Sequence, residues 1–176
     1  ATRKLTNEYE THGTLPAEKP IFTADGIQLF ADEKNAAVLA KTLKGTPTLA
    51  RYLAAHLGRI GEGDYFALLA YIAMTDAHER VLQTMRLGVR DNRRVATCLE
   101  FGPRFLHSTG QAYKGGPNTG VFMQITCEDA VDIPVPGRKY TFGVVKAAQA
   151  RGGLEVLVER DRRALRVHLG ADVAAH

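Results

Sequence analysis

The order of apolar and polar positions divides the chain into two parts that meet near residue 60. The first part predicts short elements joined by turns: a polar helix, a β-hairpin whose turn is Asp25-Gly26, and two more helices. These elements are expected over residues 2–12, 21–30, 35–43 and 49–57. The glycine-rich run at 58–63 is the best internal boundary, because glycine interrupts helices and strands alike.

The second part alternates strands with helices. Strands are predicted at residues 65–73, 95–99, 121–126, 154–158 and 165–169. The first of these is continuously apolar, which is typical of a strand covered on both faces. Helices are expected to begin at Thr75 or Asp76 and at Thr141, because these side chains can accept hydrogen bonds from the first turn. The last two strands are expected to form a hairpin around Arg160-Asp161-Arg162, with a solvated tip.

This order predicts an α/β fold: a layered domain with a mixed sheet and a C-terminal hairpin, preceded by a helix-hairpin-helix segment. We expect an N-terminal helix and hairpin segment over residues 1–60 and an α/β C-terminal domain over residues 61–176. The chain begins with Ala rather than Met, which favours a processed chain or an excised part of a longer multidomain protein.

The stretch from Glu100 to Gly120 is unusual in composition. It holds five glycines and two prolines together with many hydrogen-bond donors, and it lies between two predicted strands. A connection of this length without an apolar period of its own is usually functional or disordered, and the flanking strands argue against disorder. It also follows the carboxyl end of a strand, which is where open α/β sheets bind ligands. We therefore predict a polar ligand loop for a phosphate or a polyhydroxylated compound.

Individual residues of this stretch suggest roles. Arg104 can form a bidentate contact with phosphate, and Lys114 can add a point charge beside it. Ser108, Thr109 and Gln111 have the short reach needed to orient sugar hydroxyls or phosphate oxygens. His107 is the candidate catalytic acid or base.

Four of these residues also have a structural alternative. Arg104 can instead anchor the stretch to Glu100, and Lys114 can be a solvated lysine. His107 and Gln111 can bond the backbone of the stretch itself.

Charge and composition narrow the classes of partner. The net charge of +4 and the pI near 9.2 suit an anionic small ligand, whereas no aromatic and basic motif of a nucleic-acid module is present. No apolar run is long enough to span a membrane, and a cytoplasmic protein with free thiols at Cys98 and Cys127 is expected. The histidines, including His176, lack metal-ligand spacing, so neither a metal site nor a cofactor is predicted.

Three stretches of the sequence resemble one known family. The run GPRFLHSTGQAYKGGPNTGVFMQIT at 102–126, the opening ATRKLTNEYE and the run at 133–153 are similar to the C-terminal part of the transaldolase/glucose-6-phosphate isomerase fusion enzymes. The resemblance implies a cytoplasmic sugar-phosphate enzyme that interconverts glucose 6-phosphate and fructose 6-phosphate, with the transaldolase portion elsewhere in the full protein.

The resemblance also implies that this chain is incomplete as an enzyme. Aldose–ketose isomerisation needs a base that moves a proton between C1 and C2, and an acid or base that opens the ring. The family's two sugar-isomerase subdomains, which carry those groups, would precede residue 1, and this chain contains no clear copy of their motifs. We therefore expect a C-terminal domain that contributes to sugar-phosphate binding or docks on the isomerase subdomains, and that is inactive alone.

Two other hypotheses remain open at the level of sequence. The first is a non-catalytic interaction domain that contacts other domains or a second subunit, in which the amides of 102–120 are satisfied internally, no sugar phosphate binds and an apolar patch is exposed. The second is a stand-alone protein that binds an anionic metabolite.

Overall fold

The computed structural model describes residues 1–171 and Val173. Within these residues the strands are β1 Phe22–Ala24, β2 Ile27–Phe30, β3 Tyr65–Tyr71, β4 Ala96–Phe101, β5 Gly120–Thr126 and β6 Arg163–His168. The helices are α1 Thr2–His12, α2 Glu33–Thr42, α3 Leu49–Leu57, α4 Asp76–Arg93, α5 Thr109–Gly115 and α6 Phe142–Glu159, with a 3-10 turn at Arg104–His107.

The six strands form one mixed sheet in the order β1-β2-β6-β5-β3-β4. Strands β4, β3, β5 and β6 are parallel, while β2 runs antiparallel to both β1 and β6. In this register Leu68 of β3 lies between Leu99 of β4 and Met123 of β5. The predicted α/β fold with a mixed sheet is therefore confirmed, and the carboxyl ends of the four parallel strands meet at one edge.

The sheet is covered on both faces, as the continuous apolar run of β3 predicts. On one face, Leu68 and Val121 belong to a core with residues of α2, α3 and α4. On the other face, Leu69 and Phe122 belong to a second core with residues of α5 and α6. Successive residues of a strand point to opposite faces, so β3 supplies both cores and needs apolar residues at every position.

The predicted C-terminal hairpin is wrong. Residues 154–158 lie in α6, and β6 pairs in parallel with β5 and antiparallel with β2. Ala150, Leu154 and Leu157 are buried against the sheet at the three- and four-residue spacing of one helix face. Within 154–158 alone, the same apolar positions look like the alternation of a strand. The Gly152-Gly153 pair, a common helix-ending signal, lies inside α6 and does not end it. Gly152 lies under α1, where an added Cβ would approach Ala1 Cβ to 2.9 Å.

The predicted N-terminal segment and C-terminal domain share the same sheet. Strand β2 pairs with β6, α1 packs against α6, and His56 of α3 hydrogen bonds through Nε2 to the carbonyl oxygen of Phe122 at 2.9 Å. Residues on both sides of position 60 therefore contribute to one core.

Candidate functional site

The order in which the strands are added to the sheet reverses between the parallel neighbours β3 and β5, because β3 is followed by β4 on one side and β5 by β6 on the other. The chain leaves β3 through α4 on one face of the sheet, and it leaves β5 through α6 on the other face. The two connections diverge beyond the ends of these strands, at Tyr71 and Thr126. This topological switch point is where open α/β sheets bind ligands. The 102–120 segment starts at the same edge, from the carboxyl end of β4.

The 102–120 segment is folded rather than a loop. It forms the 3-10 turn and α5, and it buries Phe105 and Tyr113. The ring of Phe105 lies 5.6 Å from that of Tyr71, and the ring of Tyr113 lies 5.4 Å from that of Phe122. The expectation of a connection without an apolar period was wrong, because Phe105 and Tyr113 pack onto the second core. The segment is therefore a structural part of the α6 face.

Two glycines of the segment allow this close packing. An added Cβ at Gly102 would lie 2.6 Å from the ring of Tyr71, and one at Gly110 would lie 2.7 Å from the carbonyl oxygen of Phe105. Both distances are shorter than real Cβ contacts permit. These glycines therefore serve the packing of the segment on the domain.

Three of the polar side chains that we predicted to contact a ligand form hydrogen bonds within the segment or with the end of β4. Thr109 Oγ1 donates to Glu100 Oε1 at 3.0 Å, and Gln111 Nε2 donates to the carbonyl oxygen of Leu106 at 2.5 Å. Ser108 Oγ donates to the carbonyl oxygen of Phe105 at 3.4 Å. All three side chains are therefore engaged in local hydrogen bonds.

Arg162 fixes the far end of the segment. Its Nη2 donates to the carbonyl oxygens of Lys114 and Gly116 at 3.0 and 2.5 Å, and the residue is only 5% exposed. The solvated tip predicted for this region is therefore wrong at Arg162, which is a buried anchor. The neighbouring Arg163 is also engaged, in a two-pronged contact with Asp64 at 2.6 and 2.8 Å.

We expect Arg162→Met to lower the free energy of unfolding by about 3 kcal/mol, because it removes two charge-assisted hydrogen bonds from a buried guanidinium to the carbonyl oxygens of Lys114 and Gly116. Chemical denaturation measures this change, and amide hydrogen exchange should accelerate over residues 109–116. The matched control is Arg160→Met, since Arg160 is exposed. Equal effects of the two substitutions would contradict the anchoring role.

Three charged or titratable side chains of the segment are accessible enough to contact a ligand: Arg104, His107 and Lys114. Arg104 and His107 are exposed on the 3-10 turn, and Lys114 is half-buried on α5. Arg104 Nη1 contacts the sulfur of Met74 at 3.0 Å. Glu100 accepts hydrogen bonds from Thr109 and Tyr113. The structure thus brings Arg104 to the β3–α4 connection, beside the switch point, rather than to Glu100.

Sequence reasoning missed a second polar cleft at the same edge. A cavity of about 240 Å³ lies between α6 and the ends of β5 and β6, and Arg151, Arg166 and Lys146 line it. The sequence of β6 does contain an indication of this cleft. Arg166 lies two residues after Ala164, so both side chains point to the sheet face that α6 covers, where Ala164 is buried. An arginine on the buried face of a strand rarely stays there without an anionic partner.

The two cysteines are not activated as nucleophiles. Burial raises the pKa of the Cys98 thiol, which lies 3.1 Å from Tyr113 Oη. Burial likewise raises the pKa of the Cys127 thiol, although Lys146 opposes the shift. Both groups therefore stay protonated at neutral pH, and a thiolate mechanism gains no support.

Metal-ligating clusters and long apolar helices are both lacking from the part of the chain that the structure describes. Over residues 1–171 and Val173, no group of three or more His, Cys, Asp or Glu side chains is arranged to hold a metal ion, and His176 lies outside these residues. Over the same part of the chain, none of the helices combines the length and apolar character that crossing a membrane requires.

The described elements define a three-layer α/β domain with a switch point between its central parallel strands. Neither a scan against protein-family models nor a search of curated proteins finds a match. Among solved structures, the chain is similar to hypothetical protein TT0462 from Thermus thermophilus, with a TM-score of 0.59 and 16% identity. The similarity covers 77% of this chain and 36% of that one, and at this identity it shows the fold alone.

Proposed function

We propose that this chain is the C-terminal domain of a cytoplasmic transaldolase/glucose-6-phosphate isomerase. In this role the 102–120 segment presents His107 and Arg104 to a sugar phosphate, glucose 6-phosphate or fructose 6-phosphate, whose site is completed by residues outside this chain. The proposal rests on the sequence resemblance and on one structural observation. The segment is anchored at its far end by Arg162, while His107 and Arg104 are exposed on its 3-10 turn and Arg104 reaches the β3–α4 connection beside the switch point.

The chemistry of the reaction gives these groups distinct tasks. His107 would exchange a proton with the ring oxygen when the sugar ring opens, and Arg104 and Lys114 would bind the phosphate. Ser108, Thr109 and Gln111 would position the segment through their bonds to Phe105, Glu100 and Leu106. The base that moves the proton between C1 and C2 would belong to the isomerase subdomains.

An amide NMR titration of the 176-residue chain with fructose 6-phosphate tests the proposal. We expect saturable shifts at the amides of residues 104–107, stronger for fructose 6-phosphate than for inorganic phosphate. In the His107→Asn variant these shifts should weaken, whereas His12→Asn, which changes an exposed histidine at the end of α1, should leave them intact. Flat spectra at millimolar sugar phosphate would exclude binding by the chain alone.

A second candidate function, docking on other domains of the same protein, is favoured by a separate observation. Val131, Ile133 and Phe142 are 84%, 62% and 56% exposed, and together with Pro103 they line a groove of about 360 Å³. Large apolar side chains this exposed are characteristic of an interface that another surface covers. Because Pro103 belongs to the 102–120 segment, the docked domain would lie next to Arg104.

Hydrogen exchange distinguishes the docking function from ligand binding. Amides of residues 131–133 should exchange more slowly in the protein expressed from the complete reading frame than in the 176-residue chain, with no sugar phosphate present. Equal exchange in the two proteins would contradict docking at this groove.

A further inference from the structure

The cleft between α6 and the ends of β5 and β6 contains a pair of arginines that converge on one point. Arg166 Nη2 and Arg151 Nε each lie 2.7 Å from Oε2 of Glu18. Two guanidinium groups directed at a single oxygen form a cradle for an anion. In this structure the anion is a carboxylate of the chain itself.

Arg166 is placed as a binding group rather than as a surface charge. Its side chain is 5% exposed, and its guanidinium carbon lies 4.2 Å from the ring centroid of Phe30. Its Nε is buried and has no hydrogen-bond partner among the residues that the structure describes. A buried donor without a partner is costly, and such groups mark sites whose natural partner is a ligand or water.

The charges of the cradle do not balance. Among the direct ion pairs, Glu18 contributes one negative charge against the two positive charges of Arg151 and Arg166. Glu128 also lines the cavity, but within the described residues neither arginine forms an ion pair with it. Lys146 lines the same cavity but forms its own ion pair with Asp129. Burial and the neighbouring Arg166 lower the pKa of His168, so this histidine adds no charge at neutral pH. A dianion in place of the Glu18 carboxylate would neutralise both arginines.

Glu18 lies on a segment without regular structure, so its side chain can move away from Arg151 and Arg166. Residues 14–20, between α1 and β1, have no helix or strand structure, and the Glu18 side chain is 31% exposed. The segment is held at Pro16, whose carbonyl oxygen accepts a hydrogen bond from Arg151 Nη1 at 2.7 Å. Glu18 can therefore swing out of the cradle without unfolding of the sheet or of α6.

We propose that this cleft binds the phosphate of a small organic phosphate monoester, which displaces Glu18 from Arg151 and Arg166. The bound phosphate accepts hydrogen bonds from both guanidinium groups, including the unpartnered Nε of Arg166. The cavity of about 240 Å³ limits the ligand to a small metabolite. Thr126 lines the same cavity and supplies a hydroxyl group at its wall. The site is separate from the exposed groups of the 102–120 segment.

Titration of the 176-residue chain with glycerol 3-phosphate, followed by amide NMR, tests this site. We expect saturable shifts at Gln28, Phe30 and Arg151, and binding at least about tenfold tighter than that of acetate, because the phosphate carries the second charge. These amides are distinct from residues 104–107, so this test and the fructose 6-phosphate test fail or succeed separately.

Three variants give the proposal its sharpest test. Glu18→Gln removes the competing carboxylate and should tighten glycerol 3-phosphate binding at least about tenfold, while Arg151→Gln should weaken it by a similar factor. Glu10→Gln is the control, because it makes the same change of net charge at a glutamate that pairs with Arg138. Thermal unfolding verifies that each variant is folded.

Two results would overturn the site. One is the absence of saturable shifts in both the unsubstituted chain and Glu18→Gln. The other is an equal gain of affinity in Glu18→Gln and Glu10→Gln, which would assign the binding to overall charge.

Discussion

Replacing His107 by Asn is expected to lower the turnover number for conversion of glucose 6-phosphate to fructose 6-phosphate at least about 100-fold, the usual contribution of a positioned acid or base. Asparagine retains hydrogen-bonding ability but cannot exchange a proton near neutral pH. His107 is exposed on the 3-10 turn, so the substitution should leave the fold intact. The measurement is a coupled assay of the protein expressed from the complete reading frame.

The controls for this experiment separate catalysis from folding. His12→Asn should retain full turnover, since His12 lies at the end of α1. Thermal unfolding of the two variants should coincide with that of the unsubstituted protein. Unchanged turnover in His107→Asn would remove the catalytic role, and absence of any isomerase activity in the complete protein would remove the proposed function.

Acid is expected to destabilise the fold through His56. This residue is fully buried in α3, where Nε2 bonds the carbonyl oxygen of Phe122 and Nδ1 has no partner within the described residues. Burial, reinforced by Arg59, lowers its pKa to about 3, whereas the unfolded chain keeps the ordinary value near 6.5. Between these two values the unfolded state binds the additional proton.

The sign and size of the effect follow from this difference. Above pH 6.5 His56 is neutral in both states, so its pKa shift leaves stability unchanged. As pH falls below 6.5, the free energy of unfolding drops by about 1.4 kcal/mol per pH unit, which is about 2 kcal/mol at pH 5 and, with His56 half protonated in the folded state, about 4 kcal/mol at pH 3. Urea denaturation at pH 7.5 and pH 5.0 measures the first part of this loss.

A matched pair of variants isolates the contribution of His56. His56→Gln should lose most of the difference in stability between pH 7.5 and pH 5.0, leaving the smaller part due to His168, whose pKa is also lowered by burial. His12→Asn should keep the whole difference, because His12 is exposed. An undiminished difference in His56→Gln would contradict this account.

Much of the architecture was predictable because burial on two faces leaves a clear trace in sequence. The run at 65–73 identified β3, and the side chains of Thr75 and Thr141 accept hydrogen bonds at the start of α4 and α6 as expected. The segment 154–158 failed because apolar alternation over five residues fits a strand and also one face of a helix. Length alone distinguishes the two, and α6 continues through Gly152.

The site was harder to predict, because one donor can serve a ligand or the chain itself. Thr109 and Gln111 have the chemistry of sugar contacts, yet they bond Glu100 and the carbonyl oxygen of Leu106. Arg162 and Arg166 are buried, although sequence indicates exposure for arginine in general. Their partners lie 46 and 148 residues away, at Gly116 and Glu18, and no local pattern reveals such pairs.

The most direct test of the proposed function is a crystal structure of the protein from the complete reading frame with fructose 6-phosphate bound. The account predicts the sugar within hydrogen-bond distance of the His107 imidazole, about 3 Å, with Arg104 at its phosphate. A sugar phosphate bound entirely by other parts of the protein, with His107 and Arg104 away from it, would contradict the account.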